Sequence, residues 1–134
     1  MPGNNCLLDT NIVIEVFNGN TSIADRIDNY SDVYISTIAL GELLVGMNRV
    51  TNKSKHTKKL TNFLKDCTVL DIDSTTADNY GIIFAKLYKK GKPIPTNDIW
   101  IAASAMQHDL TVITLDKHFN HIEGLSMENW QLSS

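Results

Sequence analysis

The feature that most constrains this chain is its alternation of short apolar runs with longer patterns of helical period. N-C-L-L at Asn5 to Leu8, V-Y-I-S at Val33 to Ser36, T-V-L at Thr68 to Leu70 and T-V-I-T at Thr111 to Thr114 have the length and content of short strands. A fifth, less marked run falls near Leu125 to Met127. Helices are predicted over Asn11 to Phe17, Ser22 to Asp28, Thr37 to Val50, Ser54 to Asp66, Ser74 to Lys90 and Asp98 to His108, with caps such as Thr37 and Ser74 and stops at Gly91 and Pro93. Strands separated by helices predict an α/β chain with a parallel sheet covered on both faces. Nothing in the sequence resembles a linker, a repeat or a low-complexity tract, and 134 residues with 43% hydrophobic content suit one domain over residues 1–134.

No stretch approaches the roughly 18 apolar residues of a membrane span. The opening M-P-G-N-N has neither the basic nor the apolar part of a signal peptide, so a soluble, cytoplasmic protein with no membrane partner is expected. Cys6 and Cys67 lack the C-x-x-C spacing of zinc or redox sites and read as two buried thiols.

The net charge of −3, from 12 basic and 15 acidic residues, conceals a segregation. Ten of the basic residues lie in two acid-free stretches, Arg49 to Lys65 and Lys86 to Lys92. Such runs ordinarily form solvated helix faces, but on an acidic background they also suit guiding a phosphate backbone toward a carboxylate site, with Lys53, Lys55, Lys58 and Lys59 the candidates.

Ligands of parallel sheets bind beyond the carboxyl ends of the strands, which makes the positions of four acids informative. Asp9 directly follows the first strand and Asp116 lies two residues beyond T-V-I-T, so both project from the same sheet edge. Asp98 falls in the first turn of the helix I-W-I-A-A-S-A-M, whose Ile99, Ala102, Ala103 and Met106 form a packing stripe. Glu42 points away from the stripe of Leu40, Leu43, Leu44 and Met47, between Ile38 and Val45, which implies partial burial. Each acid alone has an ordinary role as a cap, a dipole partner, a turn former or a surface group. Clustered carboxylates repel unless a divalent cation neutralises them, and an oxygen set without paired His or Cys points to Mg²⁺ or Mn²⁺.

Four segments carry a resemblance over nearly the whole chain: L-L-D-T-N at Leu7 to Asn11, I-S-T-I-A-L-G-E-L-L-V-G at Ile35 to Gly46, P-T-N-D-I-W-I-A-A-S-A at Pro95 to Ala105, and V-I-T-L-D-K-H-F at Val112 to Phe119. In this order and spacing the chain resembles the PIN-domain nucleases, and more closely the VapC toxins of prokaryotic toxin–antitoxin pairs. The resemblance implies a three-layer α/β/α sandwich and a Mg²⁺- or Mn²⁺-dependent endoribonuclease acting on structured RNA, tRNA or ribosomal RNA. Carried over by position, the catalytic quartet is Asp9, Glu42, Asp98 and Asp116. Of these, Asp9, Asp98 and Asp116 are metal ligands, while Glu42 binds the metal through water or orients the nucleophile. Thr10, Ser36, Asn97 and Thr114 match flanking polar positions that orient ligands or water. The resemblance further implies a homodimer held inactive by a VapB-like antitoxin.

Two other motifs compete. Asp71-Ile-Asp73-Ser74-Thr75 reads as the D-x-D-x-T nucleophile loop of haloacid-dehalogenase-like phosphotransferases, yet that loop belongs near the start of a longer domain. Lys92-Pro93 resembles the lysine–proline pair of receiver modules, which would make the chain a non-catalytic signalling domain, yet a receiver needs adjacent acids after its first strand and a strand before the lysine. His118 and His121 flank Phe119 close to Asp116 and are read as loop packing rather than as a general acid. Trp100 and Trp130 are read as packing rather than base stacking.

Overall fold

The structure, a computed structural model, describes residues 4–131. Five strands, β1 (Asn5–Leu8), β2 (Asp32–Ser36), β3 (Thr68–Leu70), β4 (Thr111–Thr114) and β5 (Met127–Asn129), form one sheet in the order β3-β2-β1-β4-β5. Every pairing is parallel. Six helices connect them: α1 (Thr10–Phe17), α2 (Thr21–Ile27), α3 (Thr37–Asn48), α4 (Lys53–Leu64), α5 (Ser74–Lys90) and α6 (Thr96–Gln107), with a 3₁₀ turn at His118–His121. The chain steps outward from β1 to β3 through α1–α4, then returns past the whole sheet to β4 through α5 and α6. Right-handed crossovers in opposite directions lay the two helix sets on opposite faces, which gives the three-layer α/β/α sandwich. The reversal falls between β1 and β4, so the crevice beyond their carboxyl ends is the topological switch point.

The central strands are buried on both faces, and the apolar runs are continuous for that reason: Cys6, Leu7 and Leu8 in β1 and Val112 and Ile113 in β4 are fully buried. Ile12, Val13, Ile23 and Ala39 pack from one set of helices, and Ile99, Ile101, Ala102 and Ala103 from α6. No helix among the described residues is long and apolar enough to cross a membrane.

β1, β3, β4 and α5 have the boundaries expected from sequence, and the differences elsewhere have local causes. The caps sit one residue earlier than anticipated. Ser36 Oγ accepts from the Ala39 N–H at 3.1 Å to start α3, and Asp73 forms a capping box with Thr76 at α5. α6 begins at Thr96 rather than Asp98, with extended Pro95 as its cap, which leaves Asp98 in the first turn. α3 ends at Asn48, because Arg49 and Val50 turn their N–H groups back three residues, to Gly46 and Met47. β5 begins at Met127 instead of Leu125, because its pairing with β4 runs from Val112–Met127 to Thr114–Asn129 and its edge position exposes Glu128 and Asn129.

Two packing stripes need correction. In α3 the buried residues are Ala39 and Leu43, while Leu44 is exposed and Val45 more so. This helix is apolar on nearly every side, so its periodicity does not select a face. In α6 Met106 is exposed, whereas Ile101, Ser104 and Ala105 are buried, because this helix is enclosed almost all round. Cys6 is buried as expected, but Cys67 is only half-buried; burial pushes the two thiols up to about 12 and about 11.

Candidate active site

The site is built where β1 and β4 end side by side. Asp9 still belongs to the ladder through its N–H, which donates to the Ile113 carbonyl at 2.9 Å, while its Oδ1 accepts from the Thr10 N–H at 2.8 Å and caps α1. The residue is 4% exposed. Thr114, the last residue of β4, donates from Oγ1 to Asp9 Oδ2 at 2.7 Å and accepts from the Asp116 N–H at 2.9 Å. One buried hydroxyl thus couples the acids that follow the two strands. Asn11 adds a second tie by accepting from the Leu115 N–H at 3.2 Å.

Glu42 enters from α3. Its Oε1 accepts from Thr10 Oγ1 at 2.7 Å, and it is half-buried as expected. Asp98, from the first turn of α6, lies across from Asp116, and the imidazole of His118 stands between them. His118 Nδ1 is 2.9 Å from Asp98 Oδ2 and 3.1 Å from Asp116 Oδ1, and the His118 N–H donates to the same Asp116 oxygen at 3.0 Å.

The electrostatics follow from the same contacts. Burial pushes the Asp9 carboxyl up to about 6, the charges of Asp98 and Glu42 push in the same direction, and the bonds from Thr114 and Thr10 oppose them. Asp98 is also raised, first by burial and then by Asp116 and Glu42, against the hydrogen bond from His118. Carboxylates whose charges raise Asp9 and Asp98 in a half-buried crevice form the donor set a hard divalent cation stabilises. Among the described residues, Asp98, Asp116 and His118 offer ligand atoms that all lie within 4.8 Å of one another. Asp9 adjoins this group through Thr114 and through its repulsion with Asp98.

The flanking polar residues divide. Thr10 and Thr114 hold acids directly, Ser36 is buried and spends its hydroxyl on capping α3, and Asn97 is exposed with no side-chain hydrogen bond among the described residues. Lys53, Lys55 and Lys58 are exposed on α4. Lys59 differs: its Nζ donates to the Phe17 carbonyl at 3.1 Å, tying α4 to the end of α1. In the second basic stretch Lys90 donates to the His121 carbonyl and pairs with Glu123.

The competing motifs lose their chemistry in three dimensions. Asp73 is occupied as the cap of α5, where bonds from Thr76 and Gln107 hold its carboxyl below the usual range, and it follows β3, an edge strand far from the switch point. Lys92 follows α5 directly, with no strand before it. Trp130 is buried, and Trp100 stacks on Tyr80 at 3.9 Å, so both pack. His118, expected from sequence to serve loop packing, is in contact with two of the acids. It contacts the acids because the turn after Asp116 returns the chain by a 3₁₀ turn, with Phe119 buried as its anchor. The Asp-x-His spacing was the available signal.

Fold and site together define a PIN domain, and the PIN domain family model matches residues 6–125. The chain belongs to the PIN-domain family. Within it the relatives are of VapC type: the chain is 36% identical to "Ribonuclease VapC1" of Rickettsia felis, over 90% of this chain and 92% of that one. It is 31% identical to the "tRNA(fMet)-specific endonuclease VapC" of Shigella flexneri, over 92% and 96%. The VapBC2 complex of Rickettsia felis bound to a DNA fragment from its promoter contains a chain that superimposes with a TM-score of 0.88 at 30% identity, over 94% of this chain and 98% of that chain.

Proposed function

We propose that this chain, as one PIN domain over residues 1–134, is a cytoplasmic, Mg²⁺- or Mn²⁺-dependent endoribonuclease that cuts structured RNA, tRNA or ribosomal RNA, as the toxin of a toxin–antitoxin pair. The observation that carries the reading is the convergence of Asp9, Glu42, Asp98 and Asp116 on the switch point, with Asp9 raised to about 6 by burial and by its acidic neighbours. Asp9, Asp98 and Asp116 would hold the cation, which when bound neutralises charge on the scissile phosphate and acidifies water. Thr114 fixes the orientation of Asp9 and the turn that presents Asp116. Thr10 holds one oxygen of Glu42, whose Oε2 makes no hydrogen bond among the described residues and remains to orient the attacking water. The curated relatives named as ribonucleases support the activity, and the VapBC complex supports a VapB-like antitoxin as partner. A homodimer completes the proposed assembly. Exposed Lys53, Lys55 and Lys58 supply positive charge for an RNA backbone that the acidic edge would repel.

Mapping RNA 5′ ends across total cellular RNA after brief induction tests this reading. A few discrete cuts in tRNA or ribosomal RNA, lost with Asp98→Asn, are expected. Scattered cuts in unstructured message, or an unchanged end profile with no growth arrest, would contradict it.

A further inference from the structure

His118 has features that a loop histidine beside acids does not need. Its Nδ1 stands 2.9 Å and 3.1 Å from one oxygen each of Asp98 and Asp116. Adjacent corners of an octahedron with metal–ligand bonds near 2.1 Å are about 3.0 Å apart, so the nitrogen sits at ligand spacing from both carboxylates at once. The ring is also pre-organised. The backbone N–H of His118 donates to Asp116 Oδ1, and the adjacent Phe119 is fully buried, which together fix the 3₁₀ turn that carries the ring. Finally, a single Nδ1–H must be shared between two carboxylates, whereas one cation accepts a lone pair from each of the three groups.

We propose that His118, through Nδ1, is a direct ligand of the divalent cation alongside Asp98 and Asp116, so that the site is a mixed nitrogen–oxygen set and not an all-carboxylate one. This rests on the metal-dependent reading above. A nitrogen donor moves the preference of the set from Mg²⁺ toward Mn²⁺, because Mg²⁺ favours oxygen ligands.

The test uses tag-free protein with Mn²⁺ alone and no RNA, reading Mn²⁺ affinity and, by pulsed electron paramagnetic resonance, coupling of the bound ion to imidazole nitrogen. The wild-type protein should show that coupling. His118→Ala and His118→Gln should both lose it and bind Mn²⁺ about tenfold or more weakly, while circular dichroism shows both folded, since the ring is 44% exposed. Glutamine is the discriminating variant: it keeps a hydrogen-bond donor, so it would rescue affinity if His118 only paired with the acids. Mn²⁺ that binds and is lost with Asp98→Asn, but shows no imidazole coupling or binds His118→Gln as tightly as wild type, overturns this inference and leaves the nuclease reading standing. No Mn²⁺ binding by the wild type at millimolar concentration overturns both.

Discussion

Thr114→Val keeps nearly the volume of a fully buried side chain and deletes one oxygen, the one that donates to Asp9 Oδ2 at 2.7 Å. Asp9 sits at about 6 even with that bond opposing the burial and the neighbouring charges. A hydrogen bond to an ionised group contributes about 1.5–3 kcal/mol, and at about 1.4 kcal/mol per pKa unit its loss raises Asp9 by about 1–2 units, to about 7–8. At pH 7 the ionised fraction of Asp9 then falls from about nine-tenths to between about a half and a tenth. Carboxylate ¹³C resonances titrated in chelator read this directly, and RNA cleavage at subsaturating Mn²⁺ should show its acid limb displaced upward by the same amount, with activity recovering toward pH 9. A folded variant whose Asp9 still titrates near the wild-type value would refute the claim that this hydroxyl holds the carboxylate in its ionised form.

The other expectations follow from the same contacts. Asp9 is raised above its unfolded value of 3.8, so in chelator its favourable contribution is complete below about pH 4 and is lost as pH rises through about 6; Asp9→Asn should therefore abolish cleavage yet stabilise the chelated protein, by about 1–1.5 kcal/mol more at pH 7.5 than at pH 5 in urea denaturation. Replacing Lys53, Lys55 and Lys58 together with Gln should reduce the slope of log RNA affinity against log salt by about 2–3, whereas Lys59→Met, which loses the tie to the Phe17 carbonyl, should leave that slope nearly unchanged and cost about 1 kcal/mol of stability. With its thiol buried and pushed up to about 12, Cys6 should react with maleimide at pH 7.5 only at a rate set by unfolding, whereas half-buried Cys67, pushed up to about 11, should react in the native protein but more slowly than a free thiol; rapid labelling of Cys6 in native protein would show its burial to be wrong.

Where the sequence was legible, a physical rule had one solution. β1 and β4 are apolar on both faces because the sheet is covered on both sides, and the acids that end them must share an edge in a parallel sheet, so the sequence alone brings Asp9 and Asp116 together. The bounds of α5 are legible because a Ser-Thr-Thr start and Gly91 mark its ends chemically, although the cap itself is Asp73 and not Ser74. Legibility failed where several solutions were equivalent. α3 is apolar all round, so periodicity puts Leu44 in one stripe with Leu43 although only Leu43 of the two is buried. The meeting of His118 with Asp98, twenty residues away, depends on how α6 and the 3₁₀ turn are brought together across β4, which no local pattern encodes. Lys59 differs from Lys58 only through what packs beside it, the end of α1.

If the acids at the switch point cut RNA with the help of a divalent cation, the purified protein should cleave a purified tRNA pool. Products should form with Mn²⁺, cease in chelator, return when Mn²⁺ is restored in excess, and be absent with Asp98→Asn under identical conditions. Cleavage that persists in chelator or in Asp98→Asn would contradict the account.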